Sequence, residues 1–193
     1  IKDGTFSKAE LLAADARSKS TVPGWHLANA HELDPAVKDQ VFWGAKRVDD
    51  KNSLWIGTGA EAHIEPVWDL RVPVKGGAGY SAACLLRGKV DGEATWANGR
   101  IGVMFFDAAG KFLGHHGLGS INVRKTPNQW QKCQGNFITP AGTASVGFRA
   151  GILSKGVKGF ADYYWTDFEL RELPERPLAE TDTEGIDPEK GRN

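Results

Sequence analysis

From Leu54 to Leu173 the chain reads almost entirely as strand. In Ser145-Val146-Gly147-Phe148-Arg149 the apolar residues recur every second position, so Val146 and Phe148 share one face while Ser145, Gly147 and Arg149 share the other. That period belongs to a half-buried antiparallel strand. Tyr80, Ala82, Cys84 and Leu86 alternate with Ser81, Ala83, Leu85 and Arg87; both faces are largely apolar or small, which predicts a strand in the interior of a sheet. Ile101, Val103 and Phe105 share one parity and Gly102, Met104 and Phe106 the other. If the first set enters the core, Met104 and Phe106 are presented outward. Ser7 to Arg17 (SKAELLAADAR) has helix-forming composition and predicts a short helix between the first two strands. The polar, irregular stretch from Ala28 to Asn52, with Asp34-Pro35 and Asp49-Asp50 as breakers, predicts a long loop with room for one helical turn.

Beyond Leu173 the composition changes. Pro174 to Asn193 contains no aromatic residue and little apolar surface, so it reads as a disordered linker or tail. The predicted organisation is therefore one domain over residues 1–173 and a tail over 174–193. A chain of 193 residues that is 40% hydrophobic holds one sizeable core. Its 24 glycines fit many tight turns between short strands.

Charge narrows the partners. The 24 acidic and 24 basic side chains cancel, and neither a nucleic acid nor an anionic membrane is expected without a basic surplus. No apolar run approaches the ~20 residues that span a bilayer. The sequence opens on Ile1, with neither an initiating Met nor a signal peptide, and reads as a mature or excised fragment.

The order of motifs resembles jelly-roll carbohydrate-binding modules of the family 4, family 9 and family 22 kind. Asp3-Gly4-Thr5-Phe6 followed by Gly24-Trp25 is similar to the opening strands of those modules. Ser53-Leu54-Trp55-Ile56, the Val74-Lys75-Gly76-Gly77 turn leading to Tyr80, and Arg100 to Phe106 with its Asp107-Ala108-Ala109-Gly110 hairpin then follow in family order. The C-terminal half adds a strand led by Trp130, the Thr139-Pro140-Ala141-Gly142 turn, and a closing strand containing Trp165-Thr166-Asp167-Phe168. The resemblance implies an all-β sandwich of two antiparallel sheets. It also implies a non-catalytic module that binds a polysaccharide or oligosaccharide and carries a covalently linked polysaccharide-degrading enzyme to its substrate. The setting it implies is secreted or extracellular, or periplasmic. A structural spacer without a ligand, or a small polysaccharide-degrading catalytic domain, are the alternatives.

Flat aromatic rings that stack on sugar faces, and planar polar groups that bridge hydroxyls, are the chemistry such a surface needs. Of seven tryptophans, Trp25, Trp55, Trp130 and Trp165 are expected in the core, which leaves Trp43, Trp68 and Trp96. Trp68 shares parity with Leu70 and Val72, which points to the core, whereas the family spacing counted back from Tyr80 points to the groove. Arg149 faces outward because Val146 and Phe148 take the core. Met104 and Phe106 follow by parity, and His26 lies beside Trp25. Trp96 sits in the glycine-rich stretch Asp91 to Gly99 and Trp43 on the long loop, so both read as loop-borne contacts.

Catalytic signatures are lacking. His115-His116 sit in a glycine-rich turn without zinc-site spacing, and no nucleophile elbow, P-loop or dinucleotide fingerprint occurs. The resemblance does imply a structural Ca²⁺, with oxygen ligands from Thr5, the Asn52-Ser53 neighbourhood and Thr166-Asp167. Here Thr166 stands where the family commonly places a second Asp. The topology that the resemblance implies makes the strands carrying Cys84 and Cys133 neighbours in one sheet, which allows either a disulfide or two buried thiols.

Overall fold

The computed structural model describes residues 9–27, 34–64, 66–68 and 71–174; the side chains of 66–68 lie outside that description, as does the predicted tail beyond Pro174. Among the described residues thirteen strands form two facing sheets, the expected all-β sandwich, with one short helix outside them. The first sheet has the order β1-β3-β4-β13-β8-β11. Its members are β1 (Leu11–Leu12), β3 (Val41–Val48), β4 (Lys51–Thr58), β8 (Gly79–Glu93), β11 (Gln131–Ile138) and β13 (Lys158–Glu172). The second runs β10-β9-β12-β6-β2, with β5 and β7 also pairing β12. It comprises β2 (Trp25–Leu27), β5 (Ala62–Ile64), β6 (Pro66–Trp68), β7 (Val72–Pro73), β9 (Trp96–Phe106), β10 (Phe112–Asn122) and β12 (Ser145–Lys155).

The alternation in β8, β9 and β12 sorts side chains as the sequence predicts. Tyr80, Ala82, Cys84 and Leu86 meet Ile101, Val103, Phe105, Val146 and Phe148 in the core between the sheets. Aromatic rings fill its centre: Phe168 packs 5.2 Å from both Trp25 and Phe148. Tyr163, fully buried, shares a 2.5 Å hydrogen bond with Ser154. The indole N–H of Trp165 crosses the sandwich to donate to the carbonyl of Arg100 at 3.1 Å. That bond fixes the middle of β9, whose other face forms the site described below. The predicted hairpin after Phe106 closes as Asp107 Oδ1 accepts from the amides of Ala109 and Lys111, with Gly110 at φ 80° supplying the left-handed turn residue.

The N-terminal half departs from expectation in two linked ways. Within its described part, Ser7 to Arg17 is no helix: Leu11–Leu12 pair parallel to Ala45 and Lys46 of β3, and the chain turns after them. Leu11 and Leu12 are adjacent rather than spaced three or four apart, which gives a helix no apolar stripe. The carbonyls of Ala14 and Ala16 accept from Lys46 Nζ at 3.0 and 2.7 Å, which ties this segment to β3. Val41–Val48 is correspondingly a full strand, not loop, although Pro35–Lys38 does form one helical turn, α1.

The reason lies on the outer face of the first sheet. Trp55, Phe160 and Tyr164 form a second apolar cluster there, packed with Leu12, Phe42 and Trp130, and the segment around Leu11 to Arg17 covers it. Arg17 lies over Phe160 and Lys46 over Trp55, at 4.0 and 3.5 Å from the ring centres. Lys46, 2% exposed, hides a two-faced strand behind a lysine. Beneath it Asp162 accepts from Trp55 Nε1 at 2.8 Å. Burial lowers the Lys46 ammonium from its usual value and raises Asp162, each shift opposed by the partner's charge. Trp55 is thus buried, but outside the main core, and Trp130 is half-buried on the same outer cluster rather than in the core as expected.

Candidate functional site: the outer face of the second sheet

β9 and β12 carry the same tripeptide pattern, Arg-x-Gly: Arg100-Ile101-Gly102 and Arg149-Ala150-Gly151. Antiparallel register sets each arginine opposite the other strand's glycine, Arg100 against Gly151 and Arg149 against Gly102. Since Ile101 and Ala150 fill the core, both arginines and both glycines belong to the outer face. On the next strand Gly117 pairs with Gly102 and Ser120 with Arg100. The result is a trough of about 380 Å³ with a floor of glycine backbone and walls that include Arg100, Arg149, His115, His116 and Ser120. A Cβ on Gly102 would meet the His116 carbonyl at 2.8 Å, so glycine is what lets β10 approach this closely. β10 bulges between Gly117 and Gly119, turning Leu118 into the core while Ser120 stays exposed.

The guanidinium of Arg100 lies beside His63 Nε2. Burial lowers Arg100 and Arg149 from the usual guanidinium value, yet a guanidinium titrates so far above neutrality that both remain cations. Planar cations over an open backbone floor can donate paired hydrogen bonds to hydroxyls or to anions.

Along β9 the same face continues to both ends. Trp96, which opens the strand rather than sitting in a loop, pairs with Lys155 and is 51% exposed. It shares the parity of Arg100, four residues or about 13 Å away. At the other end Met104 is half-buried and pairs with Gly147 and His115. Phe106 has the outward parity expected of it but is not available for stacking: it is 4% exposed. The Arg71 guanidinium caps its ring at 3.1 Å, and Phe112 packs edge-on at 5.9 Å. Phe112, half exposed, is the ring this end actually presents, stacked on His115 at 6.5 Å.

The remaining predicted residues divide. The backbone row through Gly117, Gly102 and Arg149 continues to Val67 and His26, two strands or about 10 Å beyond Arg149. Trp68 is not in that row; it pairs with Trp25, and its side chain lies outside the described residues. Trp43 is a half-buried member of β3, not of a loop, and lines a separate depression of about 360 Å³ with Trp25, His26, Lys19 and Lys38. Sequence reasoning missed Arg100, the glycine floor and Phe112, and it placed His115 and His116 in a turn when they belong to β10. The repeated Arg-x-Gly was the available signal.

Of the expected calcium ligands, Thr5 lies outside the described residues. Ser53 is buried and donates to the Lys51 carbonyl at 3.3 Å. Thr166 donates to the Asn52 carbonyl at 2.9 Å. Asp167, at a strand irregularity with φ 52°, pairs with Lys51 Nζ at 2.6 Å. Among the described residues no three His, Cys, Asp or Glu side chains gather as a metal cluster.

No protein-family model matches the sequence, and no curated protein does. Solved structures do. The CBM22-1 xylan-binding domain of Paenibacillus barcinonensis Xyn10C aligns over 83% of this chain and 92% of its own, at 18% identity and a TM-score of 0.50. The enzymatically active domain of bacteriophage CBA120 tailspike protein 4 aligns over 79% of this chain and 20% of its own, at 11% identity and a TM-score of 0.53. A Clostridium thermocellum xylanase 10B structure with CBM22-1 and GH10 modules, complexed with xylohexaose, aligns over 77% of this chain and 26% of its own, at 10% identity and a TM-score of 0.48. The chain therefore spans only 20% and 26% of these two larger proteins. The shared feature is the fold, a jelly-roll β-sandwich.

Proposed function

We propose that this chain is a non-catalytic carbohydrate-binding module that holds a polysaccharide across the outer face of the second sheet. One observation carries the reading: a glycine-floored trough walled by two arginines lies on the same sheet face as an exposed tryptophan. A sugar chain laid there meets planar donors for its hydroxyls and a flat ring for its C–H face. The fold shared with a xylan-binding domain supports glycan binding. Hydrolysis of a glycosidic bond uses two carboxyl groups flanking it, and among the described residues the trough lining contains no Asp or Glu, which favours binding over chemistry.

The wider role follows from that function. The module serves a secreted, extracellular or periplasmic polysaccharide-degrading enzyme to which it is covalently joined, keeping the enzyme on its substrate. A structural calcium ion between Thr5, Ser53 and Asp167 belongs to the same reading, with the ion replacing Lys51 at the Asp167 carboxylate. The test of binding is isothermal calorimetry against soluble xylans, β-glucans, mannans and acidic polysaccharides. Saturable heat with at least one glycan is expected, and no heat with any of them would leave a ligand-free structural spacer.

A further inference from the structure

Between Trp96 and Arg100, β9 carries a polar residue that the trough does not use. Ala97 and Ile101 fill the core, and a Cβ on Gly99 would meet the Leu86 side chain at 2.6 Å. That parity points inward, so Trp96, Asn98 and Arg100 share the outer face, with about 7 Å between successive members of the row. Asn98 pairs with Asn122 on one side and with Leu153 on the other. Its Oδ1 is shut off from solvent and accepts no hydrogen bond. Among the described residues four side-chain atoms are placed so, and this is the one on a strand of the second sheet. The facing Asn122 is engaged elsewhere, its Oδ1 accepting from the Arg124 amide at 3.0 Å.

A buried acceptor without a donor lowers the stability of a fold, and its presence in a native chain calls for a reason other than packing. The neighbours of Asn98 supply one. Trp96 and Leu153 are both exposed; Trp96 pairs with Lys155 and Asn98 with Leu153, so the indole and the leucine are diagonal cross-strand neighbours and form an apolar platform beside the amide. The arginines of the trough can only donate hydrogen bonds, whereas every sugar hydroxyl both donates and accepts. A side-chain amide carries a donor and an acceptor on adjacent atoms and so matches two neighbouring hydroxyls, taking the proton of one and giving a proton to the other. No hydrogen bond holds Oδ1 where it lies, so turning the amide toward a ligand breaks none, and the terminal torsion of asparagine is broad.

Resting on the glycan-binding reading, we propose that Asn98 is a specificity-determining contact of the site, its amide taking two neighbouring free hydroxyls of the sugar that stacks on Trp96. The ligand class is then a glycan with an unsubstituted hydroxyl pair at that position. An O-acetyl group there removes the proton that Oδ1 accepts and leaves the acceptor orphaned. Asn98 thus lowers the stability of the free fold and raises its affinity for sugar.

The test combines two readouts that a merely structural asparagine would move together. Calorimetry of the whole chain with soluble xylan, β-glucan and mannan identifies the tightest polymer, which is then compared with its O-acetylated form. Asn98→Ala should bind the unsubstituted polymer about five- to tenfold more weakly, while its Tm stays at or above that of the parent because the orphaned acceptor is gone. Asn98→Thr, which suits a strand but lacks the amide, should behave alike. The parent should prefer the unsubstituted form, and the ratio of the two affinities should shrink in both variants. Unchanged affinity in the variants, or a loss of affinity accompanied by a fall in Tm of several degrees, would overturn the inference and leave glycan binding standing. An affinity ratio equal to the parent's would overturn the assignment of the amide to free hydroxyls. Binding of no glycan at all would overturn both this inference and the reading it rests on.

Discussion

Trp96 is the most exposed large aromatic residue on the proposed binding face among the described residues, and its removal separates binding from stability. A buried aromatic side chain covers roughly 150–250 Å². At 51% exposure, Trp96 therefore offers a ligand about 100–120 Å². At about 25 cal/mol per Å² that is at most about 2.5–3 kcal/mol, and ordering the sugar and desolvating its hydroxyls reduce it. Trp96→Ala is expected to cost about 1.5–2 kcal/mol of binding, or about 10- to 30-fold in Kd. The buried half of the ring sets a similar ceiling on lost stability, which for a chain of this size lowers Tm by several degrees. Calorimetry well below the variant's own Tm keeps the two effects apart. Trp96→Phe, which retains a flat ring, should stay within about threefold of the parent. Undiminished affinity in folded Trp96→Ala would remove this ring from the site and undercut the idea that the ligand runs along β9.

Other consequences concern the scaffold. Burial, only partly offset by the Ser154 hydrogen bond, pushes Tyr163 up to about 12. An unfolded tyrosine titrates near 10, so the stabilisation is complete below that pH and is lost as pH rises toward 12, amounting to about 3 kcal/mol; Tyr163→Phe should flatten this part of the alkaline melting profile, and identical profiles would refute it. Cys84 and Cys133 are register partners, buried, with thiol pKa values raised by burial; thiol reagents should label neither until the protein unfolds, and fast labelling of the native chain would contradict that burial. For calcium, a Tm raised by Ca²⁺ and lowered by EDTA is the expected signature, whereas superimposable melting curves would remove the ion.

The parts of the fold that were legible in the sequence are those where one strand face is apolar and the other is not. Val146, Phe148 and Arg149 sorted themselves by parity, and the Asp107 to Gly110 hairpin followed from the family-like order of motifs. β3 was hidden because both of its faces are covered: the segment around Leu12 packs on its outer side, and Lys46 is spent on that segment's carbonyls. Pattern reading takes lysine for solvent exposure, and this one is buried. Phe106 shows the opposite limit, since parity correctly turned it outward yet could not foresee Arg71 and Phe112 closing over it. Arg100 was missed because its importance depends on register: only when β9 and β12 pair does each Arg-x-Gly place its arginine over the other's glycine.

The most direct test of the central claim is an NMR titration of the isotopically labelled chain with a soluble oligosaccharide from whichever polymer binds. The account predicts that amide shifts concentrate on β9, β10 and β12, at Trp96, Arg100, Gly102, Gly117, Ser120, Arg149 and Gly151. Shifts confined to the depression around Trp25 and Trp43, or to the outer face of the first sheet near Trp130, would contradict it.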